Sequence, residues 1–81
     1  MIIPDRVNAR WIDTLDNDQL CAAEGALHAT FIEQEKLEKH RRGAHYVLLE
    51  GPEALVMAWH RWLLVNNETR NRGLFVQRRP P

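Results

Sequence analysis

Apolar residues recur at helical spacing in two stretches of the chain, and this pattern predicts a mainly α fold. The first stretch places four of them on one side of a helix: Leu20, Ala23, Leu27 and Phe31. Asp16 and Gln19 have the spacing of a capping box, and Gly43 follows a run of cations that suits a helix C-terminus. The sequence therefore predicts a helix over residues 17–42.

The second apolar stretch predicts a helix over residues 52–70. Its shared face consists of Leu55, Ala58, Trp59, Trp62 and Thr69. Pro52 is expected at the first helical position, with Glu53 at the positive end of the helix dipole. Trp59 and Trp62 are expected in the core, because large aromatic side chains at helical spacing dominate core packing. We expect the two long helices to form an antiparallel pair.

The remaining segments are shorter and less regular. Residues 1–15 are expected to form either a short helix or an extended arm anchored by Trp11. The connector, 44–51, contains the apolar run Tyr46–Leu49, which forms either a short strand or a packed irregular crossing. The tail, 74–81, begins with a strand-like run that could pair with this connector. One or two short extended segments therefore accompany the helices.

Length and composition fit one small domain, 1–81. The chain has 81 residues, of which 44% are hydrophobic and 27% charged. A single cysteine excludes an intramolecular disulfide. The best apolar run, 54–65, is too short to span a membrane and is interrupted by His60 and Arg61. The N-terminus lacks the pattern of a signal peptide, so a cytoplasmic location is expected.

Charge is balanced overall but divided along the chain. There are 11 Lys and Arg against 11 Asp and Glu. Residues 1–35 hold seven acids and two bases (net −5), and residues 36–81 hold nine bases and four acids (net +5). Such polarity is typical of proteins that dock electrostatically onto another macromolecule.

The sequence offers no constellation for catalysis or metal binding. Cys21 and His28 lie about 10 Å apart along a helix, too far to share a zinc ion. Cys21 also lies near Asp16 and Asp18, which oppose a reactive thiolate. Glu24 precedes His28 by four residues and is expected to be its partner on the helix surface. We expect neither enzyme activity nor a cofactor.

The function these features favour is that of a small non-catalytic regulatory protein that binds a larger protein assembly through a basic face. Inhibitors and adaptors of phages and mobile elements that act on the transcription machinery offer an analogy. The predicted electrostatic contacts are Lys36, Lys39, Arg41, Arg42, Arg70 and Arg72, and the predicted apolar contacts are Met57 and Leu64.

Each of these predictions has an alternative. The cations of 36–45 also suit a solvated helix end, and Met57 and Leu64 could pack on the N-terminal arm or form a dimer surface. The alternative function is a dimeric nucleic-acid-binding protein. It would contact phosphates with little sequence specificity, because neither long helix has a polar face suited to reading bases. A third hypothesis is an obligate homodimer with a structural role.

Overall fold

The computed structural model describes residues 2–74, and most of them are helical. The elements follow one another as α1 (Ala9–Asp13), α2 (Asn17–Arg42), two 3₁₀ turns (Gly43–His45 and Leu48–Glu50) and α3 (Glu53–Asn71). The helices α2 and α3 pack against each other along most of α3. The prediction of a mainly α fold built on two long helices is therefore confirmed.

The N-terminal residues form the short helix α1 rather than a fully extended arm. Asn8 caps it, since its Oδ1 accepts a hydrogen bond from the Trp11 backbone N–H at 2.9 Å. Val7 and Ile12 are buried in the core, whereas Trp11 is half-buried against it. The segment is therefore held to the rest of the molecule by apolar packing on both sides of its cap.

Helix α2 begins and ends where its sequence signals lie. The Asp16 carboxylate accepts from the Gln19 backbone N–H at 2.7 Å, and the Gln19 side chain accepts from the Asp16 N–H at 2.9 Å. These two bonds form the capping box. At the other end Gly43 has φ 55°, a left-handed conformation that glycine adopts without the steric cost of a side chain.

The connector folds into turns, and residues 2–74 contain no strand. Hydrogen bonds from Tyr46 N–H to Gly43 O and from Gly51 N–H to Leu48 O close its two 3₁₀ turns. A Cβ on Gly51 would lie 2.9 Å from a Leu55 methyl group, so glycine permits this close approach. The irregular crossing, rather than the strand, is the conformation of this segment. The predicted strand of the tail falls on residues outside those that the structure describes.

Helix α3 starts one residue later than predicted because Pro52 occupies the capping position. Its φ and ψ of −63° and 155° are extended, and its carbonyl accepts the first helical hydrogen bonds, from Leu55 and Val56. At the C-terminal end the chain turns at Gly73, which has φ 74°. The Leu74 N–H then bonds to Thr69 O at 2.8 Å.

Trp62 lies at the centre of the core, between α2 and α3. Its side chain is fully buried and stacks on Phe31 with ring centroids 5.7 Å apart. Trp59 is half-buried at the edge of the core. The buried apolar residues are Val7, Ile12, Leu20, Ala23, Leu27, Phe31, Leu55, Ala58, Trp62 and Val65.

The expectation that Glu24 lies on the surface of α2 is wrong. Glu24 is 1% exposed, and its Oε1 accepts a hydrogen bond from Trp62 Nε1–H at 2.7 Å. Position 24 is four residues after Leu20 and three before Leu27, so it belongs to the apolar stripe of the helix. The spacing alone therefore predicts burial of position 24, whereas the charge of glutamate favours exposure.

We predict that Trp62→Phe lowers the free energy of unfolding by about 3 kcal/mol. The substitution leaves a cavity and removes a donor to a buried carboxylate. Trp59→Phe is the matched control: the Trp59 Nε1 is buried but has no hydrogen-bond partner among the described residues, so its loss should cost less than about 1 kcal/mol. Urea unfolding followed by circular dichroism measures both. Equal losses in the two variants would contradict the central role of the Glu24–Trp62 bond.

Candidate interaction surfaces

The C-terminal end of α2 carries four of the predicted contact residues. We call Lys36, Lys39, Arg41 and Arg42 the basic end. At 3.6 residues per turn, Lys39 and Arg41 point about 160° apart around the helix axis. The four cations therefore surround the helix end and do not form a single stripe.

Two buried glutamates lie beneath these cations. Glu35 pairs with Lys39 at 3.1 Å, and Glu38 pairs with Arg41 at 2.9 Å and with Arg42 at 3.3 Å. The glutamate side chains are 11% and 6% exposed, whereas those of Lys39 and Arg41 are 56% and 74% exposed. Positive charge therefore forms the outer layer and negative charge the inner one. Lys36 is exposed and forms no ion pair with a described residue.

The burial of Glu35 and Glu38 was not predicted from the sequence. Both positions continue the apolar stripe of α2, four and seven residues after Phe31. At this end the connector reaches back to the stripe, because the Tyr46 hydroxyl donates to Glu35 at 2.9 Å. The residues of the stripe thus change from apolar to acidic where the connector contacts α2. The cations that follow in the sequence form ion pairs with the two buried glutamates.

Tyr46 fastens the connector to the basic end. Its hydroxyl donates to Glu35 Oε2 at 2.9 Å, and Lys39 Nζ lies 5.4 Å from the ring centroid. Burial, the hydrogen bond to Glu35 and the negative charges of Glu35 and Glu38 raise the pKa of Tyr46 to about 12. The protonated hydroxyl therefore holds the connector against α2 throughout the physiological range.

Arg70 and Arg72 lie far from the basic end. The guanidinium of Arg72 donates to Asn17 Oδ1 at 3.3 Å, which places it at the first residue of α2. With 26 residues, α2 is about 39 Å long. The six predicted cations therefore lie at two separate places. The C-terminal end of α3, which carries Arg70 and Arg72, lies beside the acidic start of α2.

Arg72 is engaged within the chain. It pairs with Glu68 at 3.0 Å and donates to the carbonyls of Leu15 at 2.8 Å and Ile12 at 3.2 Å. Its side chain is 21% exposed, in contrast to the exposed Arg70 two residues earlier. The geometry gives Arg72 a structural role, in which it ties the end of α3 to the loop between α1 and α2.

The predicted apolar contacts, Met57 and Leu64, lie on the face of α3 opposite Trp62. They are 44% and 40% exposed. Met57 and Leu64 line a surface hollow of about 280 Å³ together with the N-terminal arm, residues 5–8, which precedes α1. Leu64 also lines a second hollow of about 160 Å³ beside α1. We call the two hollows together the α1–α3 groove. The arm borders these side chains without covering them.

Residues 2–74 contain no grouping of three or more His, Cys, Asp or Glu side chains that could hold a metal ion. Cys21 forms no disulfide and is exposed in the second turn of α2. Within the same residues, no helix has the length and apolar character needed to cross a membrane. Comparisons with protein families, with curated proteins and with solved structures find no match to this chain.

We predict that Tyr46 stabilises the fold by about 1 kcal/mol after allowance for solvent screening, and that this contribution disappears at high pH. A pKa raised from 10.0 to about 12 means that the stabilisation is complete below pH 10 and is lost between pH 10 and 12. Urea unfolding of the wild type and of Tyr46→Phe between pH 9 and 12 measures it. A stability difference that stays constant over this range would contradict the hydrogen bond to Glu35.

We predict that Arg72→Ala lowers the free energy of unfolding by about 2 kcal/mol, because it removes charged hydrogen bonds that join α3 to α1 and α2. Arg70→Ala removes the same charge two residues away and should cost less than about 0.5 kcal/mol. Thermal and urea unfolding compare the two variants. Equal stability would show that Arg72 does not tie the helices together.

Proposed function

We propose that this chain is a small non-catalytic regulatory protein that binds an acidic surface of a larger protein assembly through its basic end. The transcription machinery is the assembly to test first. The observation that carries the proposal is the layering of charge at this end, where Glu35 and Glu38 are buried and their cationic partners are exposed. An approaching macromolecule meets the positive layer first.

The buried glutamates also favour binding by holding the cations in place. Lys39 and Arg41 are fixed by short ion pairs to side chains that cannot move freely. Ordering long cationic side chains at an interface costs about 0.5–1.5 kcal/mol each, and ion pairs already made in the free protein reduce this cost. Arg41 stays 74% exposed and can present its remaining donors to a carboxylate.

Exposed apolar side chains lie at the same end of the molecule. Leu37 is 59% exposed on α2, and Val47 and Leu49 in the connector are 47% and 69% exposed. Protein interfaces combine apolar contact with Arg-rich polar contact, and these three residues supply the apolar part. Their presence favours a protein partner over a phosphate backbone.

We further propose that α2 and α3 run antiparallel, which places the basic end and Arg70 at opposite ends. This course is supported by contacts of two different places along α3. Arg72 reaches Asn17 at the start of α2, and Trp62 stacks on Phe31 farther along it. Arg70 then serves as a cation remote from the proposed binding surface.

Nucleic acid is the second candidate partner, because exposed guanidinium groups such as that of Arg41 also bind phosphates. In that case the protein would contact the phosphate backbone with little sequence specificity. Binding of this kind weakens steeply with salt, which separates it from binding to a protein with an apolar contact area.

We predict that tagged protein captures a defined protein assembly from bacterial lysate, and that the assembly stays bound after nuclease treatment. Lys36→Glu should lower the affinity about tenfold without loss of stability, because Lys36 forms no ion pair with a described residue. Arg70→Glu makes the same charge change at the opposite end and is the matched control. Mass spectrometry identifies the captured protein, and titration with the purified assembly gives the affinities.

Two results would overturn the protein-binding proposal. If nuclease removes all bound material, the basic end binds nucleic acid instead. If Lys36→Glu and Arg70→Glu weaken capture of the assembly equally, general charge and not the basic end determines binding.

A further inference from the structure

The α1–α3 groove is a surface separate from the basic end, and it contains two exposed apolar side chains of α3. Met57 and Leu64 are seven residues apart and therefore project from the same side of α3. Leu64 lines both hollows, so it forms a ridge with a concave surface on either side. A two-fold axis at this ridge brings Leu64 of one copy against Leu64 of the other.

The charges of the groove are divided at the same ridge. The hollow that contains Met57 is bordered by Arg6 and Arg61, with Asp5 as its acidic residue. The hollow beside α1 is bordered by Asp13 and Glu68. Glu68 is neutralised by its ion pair with Arg72 at 3.0 Å, so the negative charge of this hollow comes from Asp13, which forms no ion pair with a described residue. One half of the groove is therefore mainly cationic and the other half anionic.

We infer that the α1–α3 groove is the face through which two copies of this chain pair about a two-fold axis near Leu64. A two-fold interface joins the same surface of both subunits, so it requires a surface that complements itself. Rotation about Leu64 places the cationic half of each groove against the anionic half of the other. The two copies of α3 then run antiparallel, which also opposes their helix dipoles.

The net charge and the size of the chain are compatible with this pairing. Equal numbers of acidic and basic residues, 11 of each, leave no long-range repulsion between two copies. A standard interface buries about 800 Å² per partner, which is about a seventh of the 5732 Å² exposed by this chain.

Sedimentation equilibrium from about 1 µM to about 1 mM tests the inference. The expected result is a weight-average mass that rises with concentration from that of the monomer towards twice that value. Leu64→Asp should keep the protein monomeric at every concentration. Ala29→Asp places the same charge on the exposed side of α2, away from both proposed surfaces, and it should dimerise like the wild type.

A charge exchange tests the pairing without disturbing the apolar ridge. Arg61→Glu alone and Asp13→Arg alone should each weaken self-association at least tenfold, because each puts like charges in contact across the axis. An equimolar mixture of these two variants should form a mixed dimer, since each altered residue then meets an opposite charge. Circular dichroism checks that every variant remains folded.

A wild type that stays monomeric up to about 1 mM would overturn the inference and would assign the groove to a different protein. Dimerisation of Leu64→Asp equal to that of the wild type, or failure of the mixed variants to associate, would overturn it as well. These results concern the mass of the isolated protein. They are therefore independent of whether the basic end binds an assembly.

Discussion

The burial of the Trp62 indole between α2 and α3 is the interaction on which the rest of the structure depends. A tryptophan can be fully buried at low cost only if its N–H finds an acceptor, and here the acceptor is the carboxylate of Glu24. A buried carboxylate in turn requires donors. The two groups satisfy each other across the helix interface, which fixes how α3 lies on α2. Phe31 then stacks on the same indole and extends the core along α2.

The position of α3 determines how the outer surfaces form. Beyond Phe31 the connector reaches the stripe of α2 through Tyr46, and Glu35 and Glu38 occupy the stripe. These buried glutamates form ion pairs with Lys39, Arg41 and Arg42, which lie over them and make up the outer layer of the basic end. At the other end of α3, Arg72 reaches the loop before α2 and secures α1, which borders the groove on the opposite side of α3 from Trp62. One core contact thus positions two surfaces with different chemistry.

The two surfaces differ in chemistry, and we propose a different task for each. The basic end offers exposed charge held by buried counter-charges, which favours rapid electrostatic encounter with an acidic partner. The α1–α3 groove offers apolar contact with balanced charge, which favours close packing with a complementary shape. The proposed dimer would present two cationic ends to one assembly, and simultaneous engagement of both would strengthen binding.

The sequence by itself determined the two long helices and the exposure of Met57 and Leu64. The capping box at Asp16, the left-handed Gly43 and the spacing of apolar residues depend on local backbone geometry, and the structure has α2 at the residues that these signals indicate. Met57 and Leu64 could be recognised as exposed because they interrupt the polar face of α3. In the structure both side chains are partly exposed. The tertiary structure decided what happens to the charges. Buried positions are occupied by three acidic residues, Glu24, Glu35 and Glu38, although acidic side chains are usually exposed. Their burial is stabilised by hydrogen bonds from Trp62 and Tyr46 and by ion pairs with neighbouring cations, and these contacts form only in the folded protein. The tertiary structure also placed Arg72 beside Asn17 at the start of α2, away from the basic end. Sequence alone does not give this contact, because residues distant in sequence meet only when the helices pack.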